Sequence, residues 1–135
     1  MATMELTIDI EKASAVPIYA QLSEQIRLLI RRGALTPGDS MPTVRSLAVD
    51  LEINANTVAR VYRDLQREGL LRLQRGVGTF VAENGANQAV GEKDFRSISA
   101  KAAELIELGR KAGLRVGELT QLVETLWKEK ANAQR

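Results

Sequence analysis

The period of the hydrophobic positions changes several times along the chain. Leu6, Ile8 and Ile10 alternate with Thr7 and Asp9, a period of two that predicts a short strand. Ile18, Leu22, Ile26, Leu29 and Ile30 then recur at helical spacing. Pro17 opens this helix, where its missing N–H costs no hydrogen bond, and Gly33 stops it. Leu35-Thr36-Pro37-Gly38-Asp39 is turn chemistry. A second, short helix is predicted from a Thr43 cap to Leu51, with Val44, Leu47, Ala48 and Leu51 on its buried face. Glu52-Ile53-Asn54 links it to a third helix, capped by Asn54, running to about Glu68 and ended by Gly69. Val58, Val61, Tyr62 and Leu65 form the apolar stripe of that helix. Leu71 and Leu73 read as a strand, Gln74 to Gly78 as a tight turn, and Thr79-Phe80-Val81 as the returning strand.

Residues 83–94 are small and polar, as a linker is. Beyond them Phe95, Ile98, Ala102, Leu105, Gly109 and Ala112 step by 3, 4, 3, 4, 3, and Val116, Leu119, Val123 and Leu126 by 3, 4, 3. Two helices are predicted, broken at Gly113-Leu114. The expected organisation is a first domain over 1–82, a linker over 83–94 and a two-helix tail over 95–135.

Two short helices joined by three residues, then a glycine-tipped hairpin, make a winged helix-turn-helix. The expected fold class is therefore mainly α with a small β wing, followed by a short all-helical dimerisation tail. A major groove about 12 Å wide admits one helix, whose N-terminal residues meet base edges. On a helical wheel Asn56, Arg60, Arg63 and Arg67 share one face, opposite Val58, Val61 and Leu65. Asn pairs bidentately with adenine and Arg with guanine. Thr57 and the free N–H groups at the helix start suit phosphate oxygens. Arg45 suits a phosphate or a guanine edge. Arg75, at the Arg75-Gly76-Val77-Gly78 tip, suits a minor groove or a phosphate. Asn54 suits an N-cap and a DNA contact equally, and Arg31, Arg32, Arg63 and Arg67 suit a solvated face.

Composition narrows the chemistry. The chain has 135 residues and no cysteine or histidine. Thiol nucleophiles, disulfides, haem, iron–sulfur and zinc sites and a Ser–His–Asp relay all fall away. No cofactor, metal site or catalytic residue is expected, and the Asp50/Glu52 and Glu104/Glu107 pairs read as solvated charge. Gly76-Val77-Gly78 completes no dinucleotide loop, because a strand follows it. The N-terminus has no apolar targeting segment and no run approaches a membrane span, so a cytoplasmic protein is expected. The net charge is only +2, from 19 basic and 17 acidic side chains. Between Thr43 and Gly76, however, there are six arginines, no lysine and four acids. A near-neutral chain can still carry one basic face.

The stretch Leu35-Thr36-Pro37-Gly38-Asp39-Ser40-Met41-Pro42-Thr43-Val44-Arg45-Ser46-Leu47-Ala48 resembles the L-x-P-G-x-x-L-P-S-x-R-x-L-A signature of the GntR family of bacterial transcription regulators. Asn54 to Leu65 resembles its N-x-N-T-V-x-x-A-Y-x-x-L recognition helix. Glu68-Gly69-Leu70-Leu71 and Arg75-Gly76-Val77-Gly78-Thr79-Phe80-Val81 resemble its E-G-L and R-x-G-x-G-T-F-V wing, and Pro17-Ile18-Tyr19-Ala20-Gln21-Leu22 matches its opening. Thr43 stands for the usual Ser, Met41 for an aliphatic residue and Val61 for a common Ala. The short tail resembles the YtrA-type branch. The resemblance implies operator binding as a homodimer, usually as a repressor. It also implies DNA contacts from the positions of Arg45, Asn54, Asn56, Thr57, Arg60 and Gly76. The rival reading is a winged-helix protein-interaction module without DNA binding; it calls for an acidic or apolar recognition face, unlike Asn56 with Arg60.

The tail carries its own expectation. Two short helices do not enclose a core alone, and Ala102, Gly109 and Ala112 permit close approach of another backbone. A second copy of the same surface, built from Ile98, Ala102, Leu105, Gly109, Leu119, Val123, Leu126 and Trp127, gives a twofold interface. Recognition helices in such a dimer meet half-sites about 10 bp apart. A tail of this size has no room for a ligand cavity within one chain, so any small-molecule effector is expected between chains or between domains.

Overall fold

The computed structural model describes residues 7–84 and 88–134. The chain divides into two compact units, the first ending at Gly91 and the second starting at Glu92. The first holds helices α1 (Ile18–Arg31), α2 (Val44–Leu51) and α3 (Ala55–Arg67) and strands β1 (Leu71–Gln74) and β2 (Gly78–Val81). The second holds α4 (Glu92–Lys111) and α5 (Val116–Ala133). No helix among the described residues is long and apolar enough to cross a membrane.

The core of the first unit is aliphatic. Leu22, Ile26 and Ile30 of α1, Leu47 and Ala48 of α2 and Val58, Val61 and Leu65 of α3 share one buried cluster with Leu35, Leu71 and Val81. Ser23 is the one buried polar side chain among the described residues, and its hydroxyl accepts from Arg27 Nη1 at 2.7 Å. The same guanidinium donates through Nη2 to both Glu68 oxygens, at 2.7 and 2.8 Å, and so ties α1 to the C-terminus of α3.

Helix ends follow local chemistry. Thr43 Oγ1 accepts the Ser46 N–H at 3.0 Å and Asn54 Oδ1 the Asn56 N–H at 2.8 Å. Each satisfies a donor that the helix itself leaves open. Gly69 follows α3 with φ +81°, a conformation that costs glycine little. β1 and β2 pair antiparallel, with Leu71 opposite Val81 and Gln74 opposite Gly78.

The structure differs from the sequence reading in three places. The strand expected at 6–10 does not form over residues 7–10, and Leu6 lies outside the described residues. The extended segment is held by side chains instead. Gln25 brackets Asp9, accepting its N–H at 2.9 Å and donating to its carbonyl at 2.7 Å. Gln21 does the same for Glu11, at 2.8 and 3.0 Å. Two glutamines one turn apart on α1 thus replace a strand partner, while Ile8 and Ile10 pack on the core. Second, the loop before α2 adds a short third edge to the wing. Ser40 bridges to Phe80, and the Met41 N–H donates to the Thr79 carbonyl at 2.8 Å. Third, the expected 83–94 linker is shorter and partly tied down. α4 begins at Glu92, the Val90 N–H donates to the Arg31 carbonyl at 2.6 Å, and Arg31 Nε donates to the Gln88 carbonyl at 3.1 Å. Residues 85–87 of that stretch lie outside the described residues.

In the second unit α4 ends in a glycine stop. Gly113 has φ +77°, its N–H reaches the Arg110 carbonyl at 3.1 Å, and the Leu114 N–H reaches the Gly109 carbonyl at 2.9 Å. This paired arrangement satisfies carbonyls left open at the helix end. Gly109 is the only buried residue of α4, and a Cβ there would lie 3.2 Å from Leu119 Cδ2. α5 buries none of its described residues.

Candidate nucleic-acid interface

α3 docks on the core through Val58, Val61, Tyr62 and Leu65, all buried. That fixes which residues face outward. Asn56, Arg60, Arg63 and Arg67 are exposed, and Thr57 is half-buried at the edge of the face. α2 lies against α3 and presents Arg45, exposed, near its N-terminus. Tyr62 secures the pair of helices, since its buried hydroxyl donates to the Pro42 carbonyl at 2.8 Å, just ahead of α2. Burial pushes this phenol well above its ordinary range.

The turn between α2 and α3 is unusual in one respect. Glu52 adopts a left-handed conformation, φ +55°, the only described non-glycine residue with positive φ. The Ile53 N–H then reaches the Ala48 carbonyl at 3.0 Å, completing a stop of the kind normally made with glycine.

Asn54 is occupied as a cap, so its carboxamide oxygen already holds the Asn56 N–H and the NH2 group is its remaining donor. Arg60 does not extend freely. Its guanidinium lies 4.3 Å from the centroid of the Tyr19 ring, within cation–π range. The Tyr19 hydroxyl in turn donates to Asp64 Oδ2. That hydrogen bond holds the Asp64 carboxyl below the usual carboxylate range and the Tyr19 phenol above its own. Asp64 also lies 3.7 Å from Arg67. The acids of the recognition helix region are therefore engaged: Asp64 by Tyr19 and Arg67, Glu68 by Arg27.

At the wing, Gly76 is exposed with φ +77°, and nothing lies within 4 Å of where its Cβ would be. Arg75 beside it is exposed at the tip. Arg72 leans on the Phe80 ring across the hairpin, 4.9 Å from the centroid. Leu73 and Val77 are exposed as well, so the wing offers both charge and apolar surface.

The structure thus brings Arg45, Asn54, Asn56, Thr57 and Arg60 together on the two packed helices α2 and α3, with Arg75 and Gly76 on the adjoining hairpin. Sequence reasoning missed Tyr19. It falls between the apolar α1 positions, and its partners Arg60 and Asp64 are 41 and 45 residues away. The one signal present was its place in the Pro17–Leu22 stretch that matches the family's opening.

A bracing helix, a tight turn, a helix with Asn and Arg turned outward and a glycine-tipped wing define a winged helix-turn-helix DNA-binding protein. Residues 18–81 match the family described as bacterial regulatory proteins, gntR family. The HTH-type transcriptional repressor YtrA of Bacillus subtilis (strain 168) is 34% identical over 119 residues, covering 88% of this chain and 91% of that one. This chain belongs to the GntR family, in its YtrA-type branch, and is a DNA-binding transcriptional regulator. Among solved structures, YtrA from Sulfolobus acidocaldarius, a GntR-family transcription factor, superposes with a TM-score of 0.52 at 35% identity, covering 72% of this chain and 97% of that one. AraR(DBD) in complex with operator ORX1 gives 0.50 at 31% identity, over 57% of this chain and 96% of that one.

Proposed function

We propose that the chain is a cytoplasmic repressor that binds a twofold-symmetric operator as a homodimer. The observation that carries this reading is the outward face of α3, where Asn56 and Arg60 stand exposed opposite a fully buried stripe. Asn56 and Arg60 read base edges. Arg45, Thr57 and the Asn54 NH2 group hold phosphates that set register, and Arg75 and Gly76 bring the wing against the backbone or minor groove.

Support for the dimer comes from the tail. Ile98, Val123, Leu126 and Trp127 are exposed, Trp127 at 77%, on a unit whose described residues are almost all exposed. A surface this apolar on a small unit fits a covered interface. Gly109 and Leu119 contribute differently, since they pack on each other within one chain. Ile98, Ala102, Val123, Leu126 and Trp127, with half-buried Leu105 beside them, are left to face a second copy. Val123, Leu126, Trp127 and Lys130 line an open, solvent-facing strip of about 510 Å³ along α5. In the dimer it takes the partner's side chains or, at the interface, a small effector.

Selection of duplexes from a randomised pool by the full-length protein tests the reading, with sedimentation on the same sample. The expected result is an enriched inverted repeat with half-sites about 10 bp apart, bound by a dimer. A pool with no enriched sequence would remove the DNA reading, and a monomer bound to a single half-site would remove the dimer.

A further inference from the structure

Arg60 reaches the recognition face by way of an aromatic contact from another helix. Its guanidinium stacks on Tyr19 of α1 at 4.3 Å, and the same ring is anchored by its hydroxyl to Asp64, one turn along α3. Asp64 is steadied in turn by Arg67 at 3.7 Å. An arginine on an exposed helix face otherwise samples many rotamers, and holding it still before binding removes an ordering cost that falls on every binding event. A planar guanidinium with one orientation also presents its paired N–H groups in one direction, which bidentate recognition of a guanine edge requires.

We propose that Tyr19 is a positioning residue for operator readout. Its ring, anchored at Asp64, fixes the orientation in which Arg60 meets a base. The proposal rests on α3 reading DNA. It assigns α1 a part in base discrimination, although Tyr19 itself touches no base. The stack does more than pack. Tyr19→Phe keeps the ring and loses the anchor, Asp64→Asn weakens the anchor from the other side, and Tyr19→Leu removes the ring.

Two measurements on the full-length protein decide it. In the DNA-free protein, NMR reads the ring-current shift of the Arg60 side-chain protons. These are expected upfield in the wild type, partly relaxed in Tyr19→Phe and Asp64→Asn, and unshifted in Tyr19→Leu. Selection from a randomised duplex pool then identifies the base pair whose preference Arg60→Ala flattens, by about 5- to 150-fold for a bidentate contact. Tyr19→Leu is expected to flatten preference at that same base pair by about 2- to 5-fold, with the salt dependence of binding unchanged. Tyr19→Phe and Asp64→Asn should lie between it and the wild type, and they decide the matter if Tyr19→Leu does not fold. Intact preference at that base pair in all three variants, or a uniform loss across all sequences, overturns the positioning role and leaves α3 as a DNA reader. A wild-type pool without any enriched sequence overturns the DNA reading and this proposal with it. An upfield shift that persists in Tyr19→Leu overturns the stack.

Discussion

Tyr62 shows how one buried side chain serves both stability and the interface. It belongs to the apolar stripe of α3, yet its hydroxyl needs a partner once buried, and finds the Pro42 carbonyl. Tyr62→Phe is expected to cost about 1 kcal/mol in denaturant unfolding near neutral pH, since a neutral hydrogen bond is lost and a carbonyl left open. The same residue sets an alkaline limit. Its folded-state phenol is raised above the ordinary value of 10.0 because burial disfavours the anion. Its contribution is therefore complete below pH 10 and is lost as pH rises towards the folded value. Wild-type stability should fall above pH 10 more steeply than that of Tyr62→Phe, and unfolding midpoints measured across that range would show it. The stripe position of Tyr62 is legible from a helical wheel. Its hydrogen bond is not, because the acceptor is a backbone carbonyl 20 residues upstream that only folding brings near. Tyr19 was hidden for the same reason.

Among the elements, caps and stops were readable because they are local. Thr43, Asn54, Gly69 and Gly113 each act within a few residues, so the start of α2, both ends of α3 and the end of α4 follow from composition. The Gln21 and Gln25 brackets and the Ser40–Phe80 bridge were not readable, since each joins segments with no shared periodicity. The α2–α3 turn gives a direct test. Glu52 occupies a left-handed position that a side chain pays about 1 kcal/mol to adopt. Its exposed contact with Lys12 at 3.8 Å returns little. Glu52→Gly is expected to raise stability by about 0.5 kcal/mol, read as a higher denaturant midpoint with an unchanged slope. The Asn54 cap separates structure from recognition. Asn54→Ser keeps an acceptor for the Asn56 N–H, so stability should hold, whereas Asn54→Ala should lose about 1 kcal/mol. A drop in DNA affinity common to both variants, at constant stability in Asn54→Ser, marks the lost NH2 group as a phosphate donor.

At the scale of the whole molecule the charge balance sets the terms of binding. Residues 1–91 carry ten basic and ten acidic side chains, so the first unit has no broad positive field to hold it on DNA. What it has is local. Asp64 and Glu68 are engaged by Tyr19, Arg67 and Arg27, while Arg45 and Arg75 stand exposed. Non-specific affinity should accordingly be weak, and useful affinity must come from base readout and from linking two recognition helices. Linking makes the second half-site an intramolecular event, which can raise overall affinity by about 10²–10⁴-fold with no new contact. In the proposed dimer the tail controls occupancy without touching DNA. Leu126→Asp places a charge on the apolar α5 groove, where a partner's side chains would have to cover it. The variant should sediment as a folded monomer, with a first unit as stable as the wild type's. Its affinity for a full operator should fall to that of a single half-site, and its salt slope to about half, because one winged unit displaces half the counterions. Arg75→Ala, which removes one phosphate contact at each half-site, should lower the full-operator slope by only about two, evenly across sequences. A Leu126→Asp protein that stays dimeric places the interface elsewhere. One that becomes monomeric yet binds the full operator as tightly as before shows that the two winged units read DNA without help from the tail.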